Sequence, residues 1–284
     1  GMLTTAWAGH GESLARELGP DVGCVIALGG DGLVNEVVNG LMARAPQDRP
    51  VLAVIPVGSG NDYAETLGMA YSVPTAVTEI LRFQTVRADV GRVNGRYFAE
   101  TLSFGLDAAI ALDTMDRRQK SGRAGTMLYL ESAVDQLFHH LQVFSFKMDV
   151  LGAEPGCAPH PEWDDAYLVA VQVGPTYGGH FRITPKARLD DGLLDICWAT
   201  PELSPMRALA LLLRARGGKH AGQIQHLHAL SFLLQCFFYQ NFRILPWDQH
   251  MFIDIKRITV KLLFSCQMLQ RNPLFSSGDQ FLIV

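Results

Sequence analysis

The sequence predicts an α/β fold with two domains: an N-terminal α/β domain and a C-terminal β-rich domain. Three observations lead there. Apolar, β-branched runs at 22–28 and 51–57 each lead into a glycine-rich turn, and a segment with helical apolar spacing follows each turn. After about residue 85 this alternation stops and strand patterns dominate. The chain has 284 residues, enough for two domains with a substantial core. The expected division is 1–88 and 89–284, with 223–284 atypical in character.

Taken in order, residues 11–18 read as a short helix and 22–28 as a buried strand. Residues 33–42 place Val34, Val37, Val38 and Leu41 on one helical face. The strand 51–57 ends in Pro56-Val57-Gly58-Ser59-Gly60-Asn61-Asp62, and a helix runs on through Leu67. Ser72 reads as the N-cap of a helix whose buried face is Val73, Ala76, Val77, Ile80 and Leu81. Asn94-Gly95 joins 86–93 to 96–102 as a hairpin. Helices are expected at 106–117, 124–141 and 205–216, and strands at 143–151, 166–173 and 193–199, with a loop at 152–165. Residues 227–239 fit a buried helix or a strand equally well; 242–244, 251–253 and 258–263 read as strands.

Composition narrows the function. A net charge of −4 argues against a nucleic-acid binder, which needs a basic surface. The five cysteines are odd in number and lack C-x-x-C spacing, which reads as reduced thiols in a cytosol. No stretch reads as a signal peptide, and Met2 after Gly1 reads as the encoded start. The longest apolar blocks, 208–213 and 227–239, fall short of the roughly 20 residues of a membrane span. The expectation is a cytoplasmic protein with peripheral contact at the inner membrane face.

The functional signal is Gly29-Gly30-Asp31-Gly32, between a strand and a helix. Glycines let a backbone approach an anion, and a helix N-terminus offers free N–H groups. Asp31 is more than a tight turn requires and suits Mg²⁺ or a phosphate-bound water. The turn at Gly58 comes about one βαβ unit later, so both emerge at the same ends of a parallel sheet, where ligands bind.

Gly29-Gly30-Asp31-Gly32-x-x-Asn35-Glu36 with Pro56-x-Gly58-Ser59-x-Asn61-Asp62 resembles the diacylglycerol kinase catalytic domain, in the bacterial lipid kinase branch related to sphingosine kinases and NAD kinases. Further matching segments are Phe104-Gly105-Leu106-Asp107-Ala108, Gly174-Pro175-x-Tyr177-Gly178-Gly179, Pro185-x-Ala187-x-x-Asp190-Asp191-Gly192-Leu193-Leu194-Asp195 and Gly218-Lys219-His220. The resemblance implies γ-phosphoryl transfer from MgATP to a lipid hydroxyl at a membrane surface, most simply diacylglycerol to phosphatidic acid. It implies an N-terminal α/β nucleotide-binding domain, a C-terminal β-rich sandwich domain, and a nucleotide site of Thr5, Gly29, Gly30, Asp31, Gly32, Leu33, Val34, Asn35, Glu36, Gly58, Ser59, Asn61 and Asp62. It implies Mg²⁺ at Asp191 and the backbone carbonyls of Arg188 and Leu193. A homodimer is compatible with it.

The sequence departs from the family pattern twice. The opening strand and its Asn-Pro-x-x-Gly turn are lacking, so the sheet is expected to be one strand short. The Asp-Gly-Glu that carries the family's base is lacking too; Asp254, in Asp254-Ile255-Lys256, is the candidate base instead. A catalytically impaired nucleotide- or lipid-binding relic and a NAD kinase-like enzyme remain as alternatives, the latter disfavoured by 56–62. Elsewhere Asp107 reads equally as a helix N-cap or a ligand contact, Asp190-Asp191-Gly192 as a plain turn, His180 as a loop-reshaping residue and 120–123 as a solvated loop. His139, His140, His226 and His228 lack metal-ligand geometry.

Overall fold

A computed structural model describes residues 1–123, 125–153, 162–220, 224–238, 249–261 and 280–283. Its elements are α1 (His10–Arg16), β1 (Val22–Gly29), α2 (Asp31–Met42), β2 (Val51–Pro56), α3 (Asp62–Thr66), α4 (Val73–Leu81), β3 (Thr85–Val93), β4 (Arg96–Phe98), β5 (Thr101–Gly105), α5 (Leu106–Ser121), α6 (Thr126–His139), β6 (Phe144–Ala153), β7 (Asp164–Ala166), β8 (Leu168–Gln172), β9 (Leu194–Ala199), α7 (Pro205–Ala215), β10 (Gln225–Phe238), β11 (Gln249–Lys261) and β12 (Gln280–Ile283). The α/β class and the β-sandwich that follows are both present.

In the N-terminal half β1 and β2 are parallel neighbours, with Cys24 opposite Val51 and Gly29 opposite Pro56. Their apolar runs are buried because helices cover the sheet. Val34, Val37, Val38 and Leu41 of α2 enter this core with Leu52, Val54 and Ile55 of β2. The α1–α2 crossing is close because Gly40 has no side chain: a Cβ there would lie 2.3 Å from the Glu12 carbonyl oxygen. On α4 the buried ridge is narrower than expected. Ala76 and Ile80 are buried, whereas Val73, Val77 and Leu81 stay exposed. Ser72 holds the N-cap position, but its side chain makes no capping hydrogen bond.

The expectation of a sheet one strand short is corrected: β12 runs parallel to β1 along that edge, with Ile26 opposite Ile283. It gives β1's outer N–H and C=O groups partners that an open edge would leave unpaired.

The hairpin at Asn94-Gly95 forms, both residues having positive φ (46° and 86°) as its tight turn requires. Its second arm is two strands, not one. β4 pairs with β3, the chain bends at Ala99-Glu100, and β5 pairs with β8. Of the run 227–239, residues 227–238 are strand, within β10. This strand pairs with β9 over its first part, with β11 over its second, and with β6 along the other edge. The strand expected at 251–253 and the described part, 258–261, of that expected at 258–263 belong to one strand, β11, which pairs with β3 continuously from Ile253 to Lys261. The loop expected at 152–165 is narrower, since 152–153 continue β6 and 164–165 open β7; residues 154–161, and the whole of the strand expected at 242–244, lie outside the described residues. Two further cores form: Phe146, Met148, Ile196 and Phe232 inside the sandwich, and Ile110, Tyr129, Ala133 and Ile183 beneath α5–α7.

Gly40→Ala tests the helix crossing. Alanine favours helix by about 1 kcal/mol, but overpacking costs about 1–3 kcal/mol, so urea unfolding should report net destabilisation.

Candidate active site

Two glycine turns meet backbone to backbone. A Cβ on Gly58 would lie 2.4 Å from the Gly30 Cα. The Val57 amide donates to the Gly29 carbonyl at 3.2 Å. Asp31, in the first turn of α2, holds the second turn in place: its Oδ2 accepts the Asn61 amide at 2.7 Å and its Oδ1 the Tyr63 amide at 3.0 Å. Asn61 closes that turn from within. It sits in the left-handed region at φ 61°, its Oδ1 accepts from the Gly58 amide, and its Nδ2 donates to the Gly58 carbonyl, both at 2.8 Å. Ser59 is exposed at the turn's tip.

Asp62 carries the arrangement into the second half. Its carboxylate accepts the Gly179 amide at 2.9 Å and the His180 amide at 2.9 Å. Burial pushes its pKa up to about 6, against the lowering pull of those two amides. His180 takes φ 76°, and its ring meets Glu65 and Tyr71. It therefore shapes the loop that holds Asp62.

The other expected nucleotide residues divide by role. Gly32 and Asn35 line the cleft beside Asp31 and Asp62. Asn35 Oδ1 accepts the Ala99 amide at 3.2 Å, fixing the cleft's far wall. Leu33 covers Gly29, and Val34 lies in the core, so both contribute backbone rather than side chain. Glu36 faces the N-terminal segment, where it accepts the amides of Gly9 (2.8 Å) and Gly11 (3.0 Å). Thr5 is half-buried in that same segment.

Glu100, Thr66 and Tyr129 carried no sequence signal. Glu100, at the bend between β4 and β5, is buried in the cleft wall. Thr66 donates to its Oε1 at 2.7 Å, while Oε2 is buried without a partner. Burial, reinforced by the Asp62 and Asp31 charges, pushes its pKa well above the usual carboxylate range. Tyr129 hydrogen-bonds to Tyr177, and Tyr177 lines both the cleft and a neighbouring apolar hollow. The hollow, a cavity of about 90 Å³ that is partly open to solvent, lies beneath α5, α6 and α7. Asp107 sits in its wall one residue inside α5, so it is not the N-cap. Tyr129 donates to its Oδ1 at 3.5 Å, and burial pushes its pKa up to about 7.

Asp191 lies in an exposed turn, its Oδ1 accepting the Leu193 amide at 3.0 Å. Asp89 anchors this turn by accepting the Gly192 amide at 2.6 Å. Arg188 pairs with Asp190. Among the described residues no group of three or more His, Cys, Asp or Glu side chains is arranged to hold a metal ion. His139 pairs with Asp135 and His228 with Asp195. Lys120 and Arg123 pair with Asp116 and Glu131. For Asp254 only the backbone of β11 is described: it stands opposite Arg92 of β3, which stands opposite Tyr97 of β4, next to the cleft residues Phe98 and Ala99.

This is an α/β domain with paired glycine turns at its strand ends, joined to a β-sandwich across a shared cleft. Residues 2–93 match the diacylglycerol kinase catalytic domain, and residues 100–234 match the YegS C-terminal NAD kinase beta sandwich-like domain. The chain thus carries a diacylglycerol kinase catalytic domain followed by a YegS-type C-terminal domain. It is 33% identical over 191 residues to a probable lipid kinase YegS-like protein of Chromohalobacter salexigens, covering 66% of this chain and 58% of that protein. It is 30% identical over 203 residues to a diacylglycerol kinase of Staphylococcus haemolyticus, covering 68% and 56%. The chain thus spans little more than half the length of these relatives. A putative diacylglycerol kinase from Bacillus anthracis str. Sterne shares the fold, with a TM-score of 0.68 at 23% identity over 91% of this chain and 84% of that one.

Gly58→Ala should lose about 1–3 kcal/mol in urea unfolding. Gly32→Ala, whose Cβ would meet nothing within 4 Å, should be neutral or stabilising. Asp107 gives a pH signature. Its folded pKa of about 7 exceeds the ordinary value of 3.8, so the folded state binds the extra proton between them. Stability from this group is therefore full below about pH 4 and lost as pH rises through 7. Asp107→Asn should be relatively more stable at pH 8 than at pH 4 by at least about 1 kcal/mol, read by thermal unfolding at both pH values.

Proposed function

We propose that the chain is an ATP-dependent lipid kinase that transfers a γ-phosphoryl group to a lipid hydroxyl, diacylglycerol to phosphatidic acid being the simplest case. One observation carries this reading: the cleft lined by the glycine turn and the apolar hollow adjoin at Tyr177. Phosphates at the turn and an acyl chain in the hollow would bring the two reactants together at that boundary. In this reading residues 1–88 hold the nucleotide and 89–284 the lipid.

The N–H groups at the start of α2 and the glycine backbones at 29, 30, 32 and 58 face the phosphates. Thr5 and Ser59 supply hydroxyls at the cleft's rim. Asp31 and Asp62 would repel a bare polyphosphate, so the cleft suits a nucleotide complexed with a cation, and the buried, unpartnered Glu100 Oε2 fits the same need. Asp191 with the Arg188 and Leu193 carbonyls forms an all-oxygen set suited to a structural Mg²⁺. When bound, Mg²⁺ would neutralise charge on the transferring phosphoryl group. The lipid oxygen attacks the γ-phosphorus, its proton passes to a carboxylate, and ADP leaves; Asp254 is the assigned base.

The lipid is reached from a bilayer. No described helix is long and apolar enough to cross a membrane. Met115, Met127 and Met206, each about two-thirds exposed on α5, α6 and α7, rim the hollow's helices and suit peripheral contact with a cytoplasmic membrane face.

The test is phosphatidic acid formation from MgATP and diacylglycerol in mixed vesicles. Turnover is expected, and Asp254→Asn should lower kcat at least about 100-fold. Unchanged activity in that variant would remove Asp254 from the role of base. ATP binding without turnover on any lipid would favour the relic, and phosphorylation of NAD instead would favour the NAD kinase-like alternative.

A further inference from the structure

The apolar hollow holds two buried polar atoms with no partner among the described residues, Asp107 Oδ2 and His220 Nδ1. His220 ends the Gly218-Lys219-His220 segment after α7. Gly218, at φ 66°, turns the chain there, and His220 is 2% exposed. Its Nε2 lies 2.8 Å from the Ile183 carbonyl oxygen. A carbonyl only accepts, so Nε2 carries the proton, and the neutral ring presents Nδ1 as an acceptor.

Among the described residues the wall offers that acceptor no donor within reach: Asp107 Oδ2, itself unpartnered, does not reach it. Tyr129 and Tyr177 hydroxyls bond each other and Asp107, and the Tyr167 hydroxyl donates to the Pro201 carbonyl. Side chains such as Ile110, Ala133, Leu212 and Ile224 are hydrocarbon. The Ile183 bond also fixes the ring, so it cannot turn Nδ1 towards bulk water. A buried acceptor in this position is stabilised only by what enters the hollow.

We propose that His220 Nδ1 receives a hydrogen-bond donor of the substrate lipid, an amide N–H or a second hydroxyl. The hollow then selects lipid alcohols that carry such a donor over diacylglycerols, whose ester groups only accept. This rests on the reading of the hollow as the substrate-chain site. His220 is a specificity residue here and takes no part in phosphoryl transfer.

The experiment uses the whole chain without nucleotide, titrated with dodecanamide and with methyl dodecanoate. The chains match, but only the amide has N–H donors. The wild type should bind the amide about tenfold more tightly. His220→Leu should abolish the preference while leaving ester affinity unchanged, and His220→Gln, whose amide oxygen accepts, should retain part of it. Equal affinity of the wild type for both probes, or a preference that survives in His220→Leu, overturns the inference and leaves the chain site standing. Binding of neither probe overturns the chain site, and the inference with it. The wild-type comparison decides even where His220→Leu does not fold.

Discussion

The Asp31 carboxylate is the bond on which the candidate site depends. It accepts the Asn61 and Tyr63 amides and so ties the turn after β1 to the turn after β2. Hydrogen bonds to a charged group are worth about 1.5–3 kcal/mol each, and both acceptors here are aimed at backbone. The glycines follow from it. At the distance Asp31 imposes, a side chain on Gly58 has no room against Gly30. Asp31 is thus a positioning residue as well as a cleft residue, a double role that its place among glycines does not reveal.

From this clamp the order spreads outward through polar side chains bonded to backbone. Asp62 begins α3 beside Asn61 and holds the Gly179-His180 amides. Asn35 and Asn39 of α2 hold the backbone at Ala99 and Tyr97. The two halves of the chain therefore meet through bonds that begin in the glycine turns. Glu100 sits at the bend where the chain passes from β4 to β5, which is why an uncomfortable buried carboxyl occurs in this cleft.

Much of this was legible in sequence where one local rule dominated. The period of α2 gave its buried face, and Asn94-Gly95 gave the hairpin because only residues tolerant of positive φ fit that turn. Three features resisted. The run at 227–239 is mostly apolar, and Leu227, Phe232 and Leu234 are buried while Leu230 is exposed, so apolar residues on both faces blur the alternation that marks a strand. The buried face of α4 is narrower than its apolar spacing suggests because a covering helix touches its sheet along a narrow ridge. Glu36 follows the glycines in the motif, yet it points at Gly9 and Gly11, since spacing along a helix fixes a face but not its partner. Glu100 and Tyr129 gained their positions only through contacts distant in sequence.

The central claim is that Asp31 builds the phosphate cradle by holding the second turn. Calorimetric binding of MgATP to the wild type and to Asp31→Asn tests it directly. Removing a negative charge beside polyphosphate would, by electrostatics alone, strengthen binding. Replacing one carboxylate oxygen by an NH₂ group breaks a turn-to-turn bond and sets donor against donor. The account predicts measurable wild-type affinity and at least about tenfold weaker binding in Asp31→Asn; equal or tighter binding by the variant would contradict it.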